Sequence, residues 1–313
     1  MVIDALVTFA RLVMLTLVPY VLASQGTMLA GRAGVFNVAQ EGIMLVGASV
    51  GFLGVYLSGG GLLEGILLAA VVGGLFGLAL AYFTTALKMD QFVIGLALYF
   101  IGLALSTLFY RLAIGITLTP PLIATLRELP VAGLSRVPVL GPIFFRQNGL
   151  VYGAVVLSIA LSLLLKHTGP GLALRAVGEN PMAADALGVN VPLVRYLTTV
   201  VGGMLIGLAG AYLPMVYTGT FTEGMVRGRG WLSIALTFFG GWNPGLIFLG
   251  ALFFAGVEVL ACRVQVTGVG VPYQLILMLP YLATMAVMIP TVRRLQVPAF
   301  LGKNYDRERR LLL

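Results

Sequence analysis

Cysteine and histidine are almost missing from this chain. A single cysteine, Cys262, rules out an internal disulfide, and a single histidine, His167, leaves no cluster able to hold a metal. Charge is scarce as well, since only 10% of the 313 residues are Asp, Glu, Lys or Arg. Apolar residues fill the gap: 59% of the chain is hydrophobic and the mean hydropathy is +1.03. A soluble domain of this size has too little core to hide so much apolar surface, so lipid is the solvent the composition calls for. A cleavable signal peptide does not fit the start, because the first apolar block carries Asp4 and Arg11 in place of a basic leader and a small-residue cleavage site.

Enzyme signatures are absent too. Gly302-Lys303 lacks the glycine that a phosphate-binding loop needs five residues earlier, where Val297 stands, and Asn304 replaces its Ser/Thr. There is no nucleophile elbow and no metal-ligand spacing. No cofactor is expected on this chain, and a system driven by ATP would hold the nucleotide on another subunit. Acidic residues are outnumbered 11 to 19, giving a net charge of +8. That excess does not point to nucleic acid. Six basic residues (Arg293, Arg294, Lys303, Arg307, Arg309, Arg310) follow Thr291 and make a basic cytoplasmic tail over 292–313 under the positive-inside rule.

Apolar runs long enough to cross a bilayer lie at Leu6–Ala23, Val35–Leu57, Leu62–Leu87, Phe92–Ala113, Leu150–Leu165, Leu193–Tyr217, Leu246–Cys262 and Tyr273–Ile289. Trp231–Phe239 is too short to cross alone and suits a half-helix packed inside protein. The expected fold is an all-α polytopic membrane protein of roughly 8–10 transmembrane helices, with broken or re-entrant segments. It forms one transmembrane domain over 1–313. Whether Gln25–Gly34 is a loop or part of an extra crossing stays open, and with it the side of the N-terminus. Among the 41 glycines, Gly73, Gly74 and Gly77, and Gly202, Gly203, Gly207 and Gly210, form small-residue faces suited to close helix packing.

One polar island, Leu174–Val191, separates two apolar blocks. Asn180 suits an N-cap, Pro181 the first helical position and Gly188 a left-handed C′ residue, which leaves about two turns between them. A short helix so firmly capped has little purpose outside a bilayer unless something pushes on it. The stretch 174–191 therefore reads as a cytoplasmic coupling loop. Ala183, Ala184 and Leu187 can share one side, while Arg175, Glu179 and Asp185 supply polar contacts for a partner. An ordinary loop with a helical turn is the plainer alternative.

Two polar interruptions resemble each other, Gly31–Gly42 and Thr220–Trp231, each with a Gly-Arg-small step leading into an apolar run. Interrupted segments in corresponding halves point to a transport pathway built from an internal repeat. Asn37 and Glu41 lie four apart, and a helix there would set them on one face beside Gln40. Ionisable groups in apolar stretches face a bundle interior or water. The pathway residues expected are Phe36, Asn37, Gln40 and Glu41, with Glu223 from the second interruption and Trp242 beyond it. The alternatives are that Glu41 caps a broken helix or pairs with Arg32, that Glu258 pairs with Arg263, and that the tryptophans anchor at the interface.

Five stretches carry a family resemblance over most of the chain: Gly34-Val-Phe-Asn-Val-Ala-Gln-Glu-Gly42; Arg175-Ala-Val-Gly-Glu-Asn-Pro-Met-Ala-Ala-Asp-Ala-Leu-Gly188; Gly228-Arg-Gly-Trp231 followed by Phe239-Gly-Gly-Trp-Asn-Pro244; Pro272-Tyr-Gln-Leu275 with Leu279-Pro-Tyr-Leu282; and Leu301-Gly-Lys-Asn-Tyr-Asp-Arg307. In that order the chain resembles inner-membrane permease subunits of ABC importers for nucleosides and simple sugars, within the broader branched-chain amino-acid and ribose permease group. The resemblance implies a multi-pass protein of the plasma membrane. It implies a second permease chain, often a different one, and two ABC ATPase subunits that hold ATP and magnesium. An external solute-binding lipoprotein would deliver the solute, and no nucleic acid is involved. Arg175, Glu179, Asn180, Pro181, Ala184, Asp185 and Gly188 would form the coupling helix that sits on the ATPase. An ion-gradient-driven carrier or a channel for a small polar solute is the competing reading.

Overall fold

The structure is a computed structural model that describes residues 2–117, 119–266, 273–291 and 297–306. Of the basic tail, Arg293, Arg294, Arg307, Arg309 and Arg310 lie outside these residues, as does Pro272.

Helix α1 (Val2–Arg32) is 31 residues long, about 46 Å at 1.5 Å per residue, well beyond a hydrocarbon core of about 30 Å. Of the segment Gln25–Gly34, left open as loop or crossing, Gln25–Arg32 continues this helix. Its polar side chains find partners within the bundle: Gln25 Nε2 donates to Ser158 Oγ at 2.5 Å, and Thr27 Oγ1 bonds back to the Ala23 carbonyl at 3.2 Å. Next come α2 (Gln40–Leu57), α3 (Leu62–Ala81, prolonged by a π-helical turn at Tyr82–Ala86) and α4 (Gln91–Ile114). Asp90 caps α4 by accepting from the Val93 amide at 2.9 Å.

A long excursion follows, holding a two-stranded antiparallel ribbon, β1 (Glu128–Pro130) and β2 (Arg146–Asn148), with Glu128 opposite Asn148. Between the strands lies the short α5 (Leu140–Phe144). Then come α6 (Gly149–His167), α7 (Gly169–Glu179), α8 (Pro181–Ala186) and α9 (Val191–Tyr212), the last extended by a π-helical stretch to Thr218. Helices α10 (Arg229–Phe239), α11 (Pro244–Val266) and α12 (Tyr273–Thr291) complete the order. Among the described residues, seven helices are long and apolar enough to cross a membrane: α1, α2, α3, α4, α6, α9 and α11. Helix α10, with 11 residues, is not among them.

Two ends can be told apart by side-chain contacts. At one, here the upper, Arg11 near the start of α1 pairs with Glu128 of the ribbon, and Tyr212 of α9 donates to the Leu15 carbonyl at 3.0 Å. At the lower end Arg32 donates to the Trp242 carbonyl at 3.0 Å, and α7, α8 and residues 297–306 gather there. The start of the chain therefore lies at the opposite end from α8. Between the ends, the glycine faces meet as expected. A Cβ added at Gly207 would press on the Ala69 carbonyl and stand 3.0 Å from the Gly73 Cα, and one added at Gly210 would strike the Met44 carbonyl. Helices α2, α3 and α9 thus touch backbone to backbone, where small residues permit the closest packing.

Candidate functional site

After Arg32 the chain does not leave the protein. Gly34 turns with φ +84°, and irregular residues 35–39 climb back into the bundle, so α2 begins at the depth of Tyr99 and Gly102 of α4. Side chains replace the missing helical bonds. Gln91 Oε1 accepts from the Phe36 amide at 2.6 Å, and Asn37 Oδ1 accepts from the Ala39 amide at 2.9 Å. The span expected at Val35–Leu57 is therefore helical only from Gln40. Helix α10 is entered in a similar way. Its approach bends at Gly219, Gly224, Arg227 and Gly228, all with positive φ.

The two re-entrant helices meet through one carboxylate. Glu41 Oε1 accepts from the Gly228 amide at 2.7 Å, and Oε2 from the Gly230 amide at 2.8 Å. It thereby satisfies amides at the start of α10, where the helix dipole favours negative charge. Gly230 must be glycine for this approach, because a Cβ would lie 2.6 Å from the Glu41 Cα. Of the two alternatives for Glu41, the geometry is the cap of a broken helix. Arg32 instead donates to the Gly241 and Trp242 carbonyls.

The other expected pathway residues scatter around this joint. Asn37 and Gln40 are buried beside it, and neither amide atom of Gln40 has a hydrogen-bond partner among the described residues. Phe36 is half-buried with its ring edge-on to Phe238 at 6.2 Å. Trp242 packs edge-on against Phe238 at 4.7 Å and is 1% exposed, which places it inside the protein and away from an interface. Glu223 stands apart at the upper end. It is exposed and bound to the Arg111 guanidinium at 3.0 and 2.8 Å, beside a 270 Å³ pocket.

Reading the sequence missed a cavity of 390 Å³ between α1, α10, α11 and α12. Glu258 lines it and accepts from Tyr20 Oη at 2.8 Å and from the Arg229 guanidinium. The expected Glu258–Arg263 pair is not formed. Arg263 lies over the Phe9 ring at 5.5 Å, because the helix turns it away from the cavity. The available signal was charge in or beside apolar runs: Glu258 lies inside the run Leu246–Cys262, and Arg227 and Arg229 stand just before Trp231–Phe239.

At the lower end the island is two helices broken at Asn180, not a single helix in a loop. Asn180 Oδ1 caps α8 by accepting from the Ala183 amide at 3.0 Å, and Pro181 opens it. Gly188 closes it with φ +87°, while the Gly188 amide donates to the Asp185 carbonyl at 3.0 Å and the Val189 amide to the Ala184 carbonyl at 3.0 Å. Ala184 turns inward and is buried with Trp242 and Tyr305, so it does not share a side with Ala183 and Leu187, which are exposed. Asp185 borders a 620 Å³ groove together with Lys88 and Asp306. Arg175 is half-buried and Glu179 exposed.

Residues 297–306 strap this unit to the bundle. The Phe300 amide donates to the Gly178 carbonyl at 2.9 Å, the Ala299 amide to Glu179 at 3.3 Å, and the Gly302 amide to the Gly34 carbonyl at 3.2 Å. Arg195 bridges the Ala33 and Lys303 carbonyls, at 3.1 and 3.2 Å. Asn304 Nδ2 donates to the Lys88 and Met89 carbonyls at 2.6 and 3.0 Å. Asn304→Ala is expected to cost about 1 kcal/mol, since these partners can turn to water. Thermal unfolding of the detergent-solubilised protein measures it, and an unchanged midpoint would show that the strap carries no load there.

A model of the branched-chain amino acid transport system permease component matches residues 9–288. The chain belongs to this permease family. Relatives match over most of their length. A guanosine ABC transporter permease of Bacillus subtilis is 31% identical over 93% of this permease and 94% of its own chain. A nucleoside ABC transporter permease of Lactococcus lactis is 34% identical over the same shares. A glucose ABC transporter permease of Haloferax volcanii is 28% identical over 84% of this permease and 72% of its own length. The permease is thus a multi-pass component of a transport system in the plasma membrane, a transport component and not an enzyme.

Proposed function

We propose that this permease is the membrane half of an ATP-driven importer that moves nucleosides or related simple sugars. The observation that carries the reading is α8, a six-residue helix capped at both ends, standing at one end of the bundle with Leu187 85% exposed. A lever of this kind needs something to push it. Separate ATPase subunits, holding ATP and magnesium, would seat Glu179, Asn180, Leu187 and Gly188 in a groove. Pro181 and Ala184 face the permease itself and would pass the movement inward. The strap joins α7 to the Gly34 turn, and from there the chain leads directly to Glu41. Closure of the ATPases would therefore reach the joint where α2 and α10 meet.

A second permease chain, different from this one, would complete the pathway, and an external solute-binding lipoprotein would deliver the solute at the upper end. Asn37, Gln40 and Glu41 line the joint, where the unmatched Gln40 amide is available to a polar solute once the joint opens. Phe36, Trp242 and Glu223 would act through packing and at the entrance, not by direct contact at that depth. An ion-driven carrier would have no use for the capped lever.

Co-purification tests this. The tagged permease, extracted gently from native membranes, should bring down an ATPase and a second permease. Its recovery alone, under conditions that preserve a known ABC complex, would overturn the reading in favour of an ion-driven carrier.

A further inference from the structure

Arg227 stands at a depth where lipid is the wrong solvent for it. A Cβ at Gly230 would lie 2.6 Å from the Glu41 Cα, and one at Gly42 would lie 2.5 Å from the Tyr99 carbonyl oxygen. Tyr99 and Gly102 stand near the middle of the 24-residue α4. The start of α10 is therefore close to the mid-plane of the bundle, and Arg227 comes just before it. Its side chain is exposed and forms no salt bridge among the described residues. Half of a hydrocarbon core is about 15 Å, more than an arginine side chain spans. A guanidinium facing lipid at that depth is costly, so such groups face protein or a water-filled space.

The two carboxylates beside it are engaged elsewhere. Glu41 holds the Gly228 and Gly230 amides, and Glu258 holds Tyr20 and Arg229. Residues 267–272, which join α11 to α12, carry no charge.

The surface around Arg227 has the form of an interface. The 390 Å³ cavity opens there, since Arg227, Cys262 and Tyr281 line it and are exposed. Beside the opening runs α12, which packs inward on α10 and α11. Its outer side carries Leu275, Met278, Leu282, Met285 and Ile289, all exposed, at alternating steps of three and four residues, the spacing of a helix–helix seam. Spacing alone suits lipid as well as a partner; the exposed guanidinium decides for protein. A second copy of this chain, packed about a two-fold axis, would enclose two such guanidinium groups and no free carboxylate to match them. A different chain meets no such conflict.

We propose that the second permease covers this face, packing on the α12 stripe and setting a carboxylate opposite Arg227. The proposal rests on the importer reading and gives its heterodimer a surface. Charge across the seam then selects a different chain over a copy of this one.

A photo-activated crosslinker at Leu282 or Met285, in membranes holding the complete transporter, should couple this chain to the second permease, identified by peptide mass. The same group at Leu67, on the exposed side of α3, should not. Carbodiimide joins an ammonium to a carboxylate in contact with it, so in Arg227→Lys it should link the two chains at an Asp or Glu of the second permease. Arg227→Glu should lower the second permease recovered with this chain by about tenfold or more, at unchanged amounts of this chain in the membrane. Arg227→Lys should retain it. If Arg227→Glu fails to accumulate, the crosslinks and Arg227→Lys decide. Crosslinks from α12 to lipid alone or to a second copy of this chain would overturn the proposal, as would full recovery of the second permease with Arg227→Glu. With the ATPase still in the complex, those results leave the importer reading standing. Crosslinks to another permease in a complex without an ATPase would instead remove the importer reading and leave the interface in place.

Discussion

Alanine at Glu41 should bring down the centre of the permease. The substitution leaves the Gly228 and Gly230 amides without an acceptor inside the bundle, at the first turn of a helix with no other side-chain cap. Charge-assisted bonds of this kind contribute about 1.5–3 kcal/mol each, so the expected loss from the two is about 3–6 kcal/mol. That is a large part of the stability of most folded proteins. Glu41→Gln keeps a carbonyl oxygen that can hold one amide, and should recover about half of the loss. Unfolding of the solubilised variants by heat or denaturant reads this directly. If Glu41→Ala unfolds together with the parent chain, the carboxylate is not holding the two re-entrant helices together.

Valine at Gly188 should abolish uptake and leave the protein in the membrane at normal levels. A Cβ there meets nothing within 4 Å, so the substitution causes no collision. Its whole effect is conformational: φ is +87°, and a β-branched residue in the left-handed region costs at least about 1–2 kcal/mol. Helix α8 has only six residues and loses the turn that closes it. Gly188→Asn, which tolerates this conformation better, should retain much of the uptake. The assay pairs energised uptake with the amount of permease in isolated membranes. Normal uptake by Gly188→Val would refute a mechanical role for the cap.

What was legible in the sequence was local. Asn180, Pro181 and Gly188 announce α8 because a cap is a matter of neighbours three and four residues away. The glycine faces announce themselves through helical spacing. The partners of buried charges did not, because they come from distant segments. Glu41 and Gly228 are 187 residues apart. Glu258 finds Arg229 on another helix, 29 residues away, instead of Arg263 on its own. The segment from Gln25 could be loop or crossing by sequence, but Ser158, 133 residues on, lets the helix continue through it. By sequence Trp242 reads as a pathway residue, with interface anchoring as the alternative; the turn before α11 buries it in one cluster with Ala184 of α8. Arg227 was visible as a charge in a polar stretch; only the positive φ and the cavity beside it mark it out.

The contact between α3 and α9 also bears on how the chain is made. The ribosome delivers α3 long before α9, with α4, the ribbon and α6 to α8 in between. Until α9 arrives, the Gly73 and Gly77 face has only lipid against it on that side, and lipid fits a row of missing side chains poorly. Closing this seam is a late act of assembly. A bulky residue at Gly73 should not prevent α3 from entering the membrane; it should stall the inserted helices before they come together, as a full-length but unassembled protein open to proteases.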